Sequence, residues 1–375
     1  MYFDYTATTK MDEEILKLYI NVQEKYYANT TSLHKFGQKC NYYYEKMQAE
    51  INSTLGVDNK VIFTTNATEA NNLAIFGLIG DKTPSETNKY KVITTKIEHP
   101  SVFEVFKHLE TKGYEVCYLD VDSNGLIDLD MLEKELNKDT ILVSIMWVNN
   151  IIGSIQPINE VIKLMKKYPK AKLHVDAVQG ICKIKPDFSF KDIDAFTMSA
   201  HKFYGPKGIG ILLYKKNIKL EPRLFGSTSQ EGIKPGTFDL GLVICCAKAL
   251  SKFYKETDKH FQIVKKLNER LVNSINNPKV IINSNNKCTP YIVNISIPSI
   301  LGETIVHIFE EKELYVSTGS ACSSKLQKPE KTILAITNDE QLAKSTVRIS
   351  LSHLKTNEEL DVLIHTINNI LNFGE

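Results

Sequence analysis

The stretch AFTMSAHKFYGPKGIGILLY, residues 195–214, decides how this chain is read. An apolar, β-prone run from Ala195 to Met198 delivers Ser199, His201 and Lys202 to a turn. Gly205, Pro206, Gly208 and Gly210 follow within a few residues. Glycine lets a backbone pass close to a ligand. A lysine at a strand end can be desolvated, lose its proton and form a Schiff base. A lone lysine in a glycine-rich turn is more often a surface residue, so the rest of the chain has to decide.

Upstream, strands and helices alternate. Val61–Thr64 reads as a strand before a helix from Thr68 to Ile79, and Val92–Thr94 as a strand before a helix over Ser101–Lys112. Strands at Glu115–Leu119, Ile141–Val148, Lys172–Asp176 and Ala195–Ser199 are interleaved with helices near Asp130–Leu136 and Ile158–Tyr168. Two helices, Met11–Ala28 and Gln38–Leu55, precede them. Such alternation implies an α/β domain with a largely parallel sheet, whose ligands bind beyond the carboxyl ends of the strands. After Thr237 the pattern changes: a long helical stretch over Leu240–Ile275, short strands near Val280–Asn283 and Tyr291–Ile297, and a helix over Glu303–Lys312. A strand near Tyr315, another over Val347–Leu351 and a last helix from Asn357 complete a smaller α+β unit, which the extreme N-terminus joins. The expected division is residues 12–245 for the large domain and 246–375, with 1–11, for the small one.

Bulk properties exclude several classes. A net charge of +2 gives no reason to propose nucleic acid or membrane as a partner. No apolar run is long enough to span a bilayer, and the N-terminus lacks a basic start followed by an apolar stretch. Cysteines at 40, 117, 182, 245, 246, 288 and 322 form no paired spacing, which suits a reducing compartment, hence the cytoplasm, and free thiols. Cys245-Cys246 lies in an apolar run and reads as core.

Polar residues cluster where strands should end. Thr65-Asn66-Ala67-Thr68-Glu69 joins a strand to a helix, where backbone N–H groups and a Thr hydroxyl can cradle a phosphate or simply form a helix cap. His99, in Glu98-His99-Pro100, can stack on a flat ring and shuttle protons, or merely start a helix. Asn149-Asn150 can hold a phenolic oxygen or a carboxylate, or form a turn. Asp176 ends an apolar strand, where an unpaired charge is costly. A protonated pyridine nitrogen would be a fitting partner and would keep a pyridoxal ring electron-withdrawing; helix capping is the other reading. Gln179, one helical turn on, could reach the ring oxygen. Far downstream, Cys322 lies among small, polar, loop-forming residues, a setting that suits an exposed, mobile nucleophile. Arg348, in an alternating strand, could clamp a substrate carboxylate or make a structural ion pair. No metal-ligand cluster stands out. Each signal is weak alone; their order along the chain matches the parts of a pyridoxal 5′-phosphate site.

With NATEANN at 66–72, EHPSV at 98–102, VNNIIG at 148–153, HVDAVQG at 174–180, SAHKFYGPKGIG at 199–210 and GSACSS at 319–324, the chain resembles the cysteine desulfurases of the NifS/IscS type. These are class V aminotransferases with the fold type I of pyridoxal enzymes, and the likeness runs nearly end to end. The resemblance implies a large domain with a mostly parallel seven-stranded sheet between helices, and a smaller α+β domain. It implies that Lys202 holds the cofactor and then acts as acid and base, that His99 stacks on the ring, and that Asp176 and Gln179 meet the ring nitrogen and hydroxyl. Ala67, Thr68, Ser199 and His201 would bind the phosphate. Thr237 would reach the phosphate of a neighbouring subunit in a homodimer. Asn150 and Arg348 would hold the substrate, L-cysteine. Cys322, on a long loop, would take its sulfur as a persulfide and leave alanine.

Some positions depart from the family pattern: Tyr5, Ile151, Lys234 and Asp239. The chain ends soon after its last helix, where members that feed an iron–sulfur scaffold usually carry a docking tail. The expected acceptor is therefore a tRNA- or cofactor-thiolating protein in preference to an iron–sulfur scaffold. Two competing readings share the same residues. One is another class V pyridoxal enzyme, an aminotransferase or a selenocysteine or cystine lyase. The other is a degenerate, non-catalytic partner subunit.

Overall fold

The computed structural model describes residues 1–318 and 328–371. Two helices come first, α1 (Glu13–Lys25) and α2 (Lys35–Leu55). The Asp12 side chain accepts the N–H groups of Glu14 and Ile15 and so starts α1. The alternating region then runs β1 (Asn59–Thr64), α3 (Ala67–Ile79), β2 (Lys91–Thr95), α4 (Pro100–Thr111), β3 (Glu115–Leu119), α5 (Leu129–Glu135) and β4 (Thr140–Met146). It continues through α6 (Ile158–Met165), β5 (Lys172–Asp176), β6 (Ala195–Ser199) and β7 (Gly210–Lys215).

The strands form one seven-stranded sheet in the order β1-β7-β6-β5-β4-β2-β3. Strands β2 to β6 pair in parallel, whereas β7 runs antiparallel to both β1 and β6. Every residue of β4 and β6 is buried, as expected of strands covered by helices on both faces. Because β1, β2, β4, β5 and β6 all point the same way, their carboxyl ends meet along one edge of the sheet. That edge collects Asn66, His99, Asn150, Asp176 and Ser199. β7 breaks the alternation: the chain returns from β6 through the Lys202 turn, not through a helix.

The long helical stretch is two helices, α7 (Leu240–Lys255) and α8 (Thr257–Ser274). Thr257 explains the break, since its Oγ1 donates to the carbonyls of Phe253 and Tyr254 that end α7. Cys245, Cys246, Leu250 and Phe253 of α7 are buried in the main core with α1, α2 and the sheet. A second core begins on α8 at Val264 and takes in Phe3, Leu267, Val293, Phe309, Val347 and Leu363. Around it lie β8 (Ile281–Ile282), β9 (Ile292–Ser296), α9 (Gly302–Glu311), α10 (Lys331–Thr337), α11 (Glu340–Lys344), β10 (Thr346–Ser350) and α12 (Asn357–Asn368). Its sheet is antiparallel, in the order β10-β9-β8. The N-terminal segment joins it: Asp4 bridges to Ser350 and Tyr2 to Tyr315. Among the described residues no helix is long and apolar enough to cross a membrane.

Candidate active site

Lys202 ends a single 3-10 turn, Ala200–Lys202, directly after β6. The next turn is tight enough to hold Tyr204 at φ 61°. The N-terminal segment crosses over this turn. Thr9 donates its N–H and its hydroxyl to the His201 carbonyl, and Thr9 Oγ1 accepts the Tyr204 N–H at 2.8 Å. Lys202 Nζ donates to the carbonyls of Thr6 at 2.7 Å and Ala7 at 2.8 Å. Burial, with the Arg348 charge nearby, pushes this ammonium down to about 8, against the pull of Asp4 and Asp176. A free amine is thus accessible near neutral pH, as carbonyl chemistry requires.

Asp176 is 5% exposed at the end of β5. Its Oδ1 accepts the Val178 N–H at 3.0 Å and its Oδ2 accepts Asn71 Nδ2 at 2.9 Å. Among the described residues no lysine or arginine pairs with it. A buried carboxylate without a cation is costly, so the site favours a cationic guest. Asn71, fully buried on α3, also donates to Ser101 Oγ at 2.9 Å and accepts the Thr197 hydroxyl. Ser101 reaches His99: its Oγ lies 2.8 Å and its N–H 3.1 Å from His99 Nδ1. With Nδ1 accepting, the neutral ring carries its proton on Nε2. Burial and the Lys202 and Arg348 charges lower the His99 pKa, with Asp176 opposing, so the ring is neutral at pH 7. Beside it, burial raises the Glu98 carboxyl to about 8, so it is largely uncharged.

Ala67 and Thr68 open α3, whose first-turn N–H groups point out beyond the sheet edge. The helix can approach so closely because residue 210 is glycine. A Cβ there would lie 2.5 Å from the Asn66 carbonyl carbon and 2.7 Å from Thr64 Oγ1. Ser199 Oγ is buried with no hydrogen-bond partner. His201 Nδ1 lies 3.1 Å from Thr8 Oγ1, and burial with the Lys202, Lys207 and Lys183 charges pushes its pKa down to about 4. Thr8, Asn66, His201 and Lys207 line a cleft of about 360 Å³ beside Gly208. Thr237 is exposed and lines an adjoining cleft with Thr65 and Gly208.

The residues after Asp176 differ from expectation. No helix follows β5; consecutive turns do, and Gly180 allows them, since a Cβ there would sit 2.2 Å from the Trp147 ring. Gln179 still faces the N-terminal segment, with Nε2 donating to the Thr6 carbonyl at 3.0 Å and Oε1 accepting Lys183 Nζ at 2.5 Å. Of the asparagine pair, Asn149 is the turn former: its Oδ1 accepts the N–H groups of Ile151 and Ile152 and its Nδ2 donates to the Ile97 carbonyl. Asn150 is the half-buried one, and its carbonyl accepts Arg348 Nη1 at 2.8 Å. Arg348 is 3% exposed and pairs with Asp4 at 2.9 Å.

The departures find local roles. Ile151 packs with Ile333 and Ala343. Lys234 pairs with Glu69 at 3.5 Å, and Asp239 caps α7 while accepting the Tyr19 hydroxyl. Cys322 lies outside the described residues. Asn71, Ser101, Thr6, Thr8 and Lys183 had no assigned part from sequence, although Asn71 and Ser101 lie inside the quoted motifs. No group of three or more His, Cys, Asp or Glu among the described residues could hold a metal.

The parts present fit pyridoxal 5′-phosphate: a half-buried lysine amine of lowered pKa, a buried carboxylate that no lysine or arginine among the described residues pairs with, a helix N-terminus and an orphaned serine hydroxyl. The family model for class-V aminotransferases matches residues 1–363. A NifS/IcsS protein homolog of Lactobacillus delbrueckii subsp. bulgaricus is 37% identical over 99% of this chain and 97% of its own length. The cysteine desulfurase IscS of Dictyoglomus turgidum is 34% identical over 99% of this chain and 94% of its own. A solved NifS-like protein superimposes with a TM-score of 0.91 at 34% identity, covering 100% of this chain and 99% of its own. The chain belongs to the class-V aminotransferases, a family that works with pyridoxal 5′-phosphate, and within it to the NifS/IscS type.

Proposed function

We propose that this protein is a cysteine desulfurase, taking sulfur from L-cysteine, releasing L-alanine and leaving a persulfide on Cys322. The observation that carries the reading is the buried Asp176, with no cation of its own, on the same sheet edge as a lysine amine of lowered pKa. When bound, pyridoxal 5′-phosphate supplies the electron sink that labilises bonds at the substrate's Cα and Cβ. Asp176 faces its ring nitrogen, held in place by Asn71 and the Val178 N–H. Lys202 Nζ carries the cofactor and afterwards moves a proton. His99, with its proton on Nε2, covers the ring and exchanges a proton at that atom. Gln179 reaches the ring oxygen. Ala67, Thr68, Ser199 and His201 bind the phosphate, and Thr237 contributes to that of a partner subunit in a homodimer. Asn150 and Arg348 orient the substrate, with Asp4 fixing the guanidinium. Cys322 sulfur bonds to the substrate sulfur, the substrate C–S bond breaks, and the released carbon takes up a proton to become alanine.

Residues 12–245 form the cofactor domain in this reading and 246–375 with 1–11 the domain that carries Cys322. The packing of α7 into the main core favours moving that boundary from 245 to the end of α7, at Glu256. The sulfur goes on to a protein acceptor, of iron–sulfur cluster assembly or of a thiolation pathway, in the cytoplasm. Incubation of the loaded protein with L-cysteine tests the proposal: alanine and protein-bound persulfide should form in equal amounts, and Cys322→Ala should abolish the persulfide. Full alanine output from Cys322→Ala would point instead to a lyase.

A further inference from the structure

Lys183 is 7% exposed, yet no carboxylate among the described residues pairs with it. Its Nζ donates to Gln179 Oε1 at 2.5 Å. The backbone is bent to make this contact: the preceding residue, Cys182, is not glycine but sits at φ 59°. That conformation is costly for a side chain with a Cβ and persists only where the surroundings impose it. It folds the chain back so that Lys183 meets Gln179. Burial, then the Lys202 and Arg348 charges, pushes the Lys183 pKa down to about 7, with the Cys182 thiol opposing. Three cationic side chains therefore share one buried region near a single carboxylate that faces the ring, Asp176. With Asp4 paired to Arg348, the three cations face two carboxylates, so the region is short of one negative charge.

We propose that Lys183 is a positioning residue: it locks the Gln179 amide so that Nε2 faces the cofactor ring, and its ammonium balances the ring's phenolic oxyanion. The proposal rests on the reading that Gln179 faces that ring oxygen. An amide has nearly the same shape in its two flipped forms, so something must choose between them. The Thr6 carbonyl and the Lys183 ammonium choose the same one, accepting from Nε2 and donating to Oε1. The remaining Nε2 hydrogen is then free for an anionic oxygen. A flipped amide would instead set oxygen against oxygen.

The test is a pH titration of the bound cofactor's visible absorbance in the full-length holoenzyme, with pyridoxal 5′-phosphate as the probe. In Lys183→Met the midpoint should rise by about one unit and the cofactor dissociation constant by about tenfold, because a nearby positive charge has been lost. Lys183→Arg should restore most of the midpoint. Gln179→Leu serves as the control for the underlying reading and should also shift the midpoint. A shift in Gln179→Leu with none in Lys183→Met overturns the role of Lys183 and leaves the Gln179 reading standing. No shift in either variant overturns both. Equal shifts in Lys183→Arg and Lys183→Met would reduce Lys183 to a packing residue. Unchanged thermal unfolding of the apo forms establishes that the variants are folded.

Discussion

At the scale of single residues the site is a set of charges held away from water. Lys202 is the sharpest case. Its free-amine fraction rises through its pKa of about 8 and saturates about one unit above it. The rate at which apoprotein takes up pyridoxal 5′-phosphate should therefore rise roughly fivefold between about pH 7 and 8 and level off above about 9. A flat profile measured by stopped-flow absorbance would contradict this. After reduction with borohydride and removal of free cofactor, Lys202→Ala should retain no covalently fixed pyridoxyl group by mass spectrometry, whereas the wild type should carry one. Asn71 carries a second prediction. It ties Asp176 to Ser101 in full burial, so Asn71→Leu should weaken cofactor binding at least tenfold and cost about 1–3 kcal/mol of stability. Equilibrium dialysis and urea unfolding measure the two effects separately.

At the scale of elements, close approach decides where the parts meet. Gly210 lets the start of β7 lie under the β1–α3 turn, and the clash a Cβ would make is with backbone, which yields little. Gly210→Ala should cost about 1–3 kcal/mol, read as a lower urea midpoint, and should weaken phosphate-dependent cofactor binding. What was legible in the sequence follows from range. Lys202, Asp176 and His99 were visible because each stands beside the strand or helix end that positions it. Thr6 was not, because its carbonyl meets Lys202 Nζ across 196 positions of chain. β7 escaped the alternation for a related reason: an antiparallel strand inserted between parallel ones carries no helix to announce it. The turn after Asp176 misled through local pattern alone. Val178-Gln179-Gly180-Ile181 suits a helix, but Trp147 and the left-handed Cys182 bend it otherwise.

At the scale of the whole molecule, the two cores meet through aromatic rings. His260 of α8 and His353, just after β10, stack with centroids 3.6 Å apart, and Tyr204 packs on His353. Burial, then the His260 and Lys259 charges, holds His353 down at about 4, while burial and nearby lysines lower His260. Above about pH 7.5 the histidines are neutral in both folded and unfolded chains, so stability there does not depend on them. As pH falls below that value the unfolded chain takes up protons first. Stability should then drop by on the order of 2 kcal/mol by about pH 4. Differential scanning calorimetry of the wild type against His353→Phe checks this, since the variant should lose part of the acid sensitivity. The proposed homodimer belongs to the same scale: sedimentation should give twice the chain mass, and Thr237→Val should lower cofactor affinity.

The amino terminus reaches from one core to the other. Asp4 is anchored on the β10 edge and on Arg348, while the next residues offer two carbonyls to the reactive amine. Taking up the coenzyme would require Lys202 Nζ to leave the Thr6 and Ala7 carbonyls, so this N-terminal segment acts as a parking place that must be vacated. A chain trimmed to begin at Lys10 should keep its folded sheet yet no longer store Lys202 in register for the incoming aldehyde.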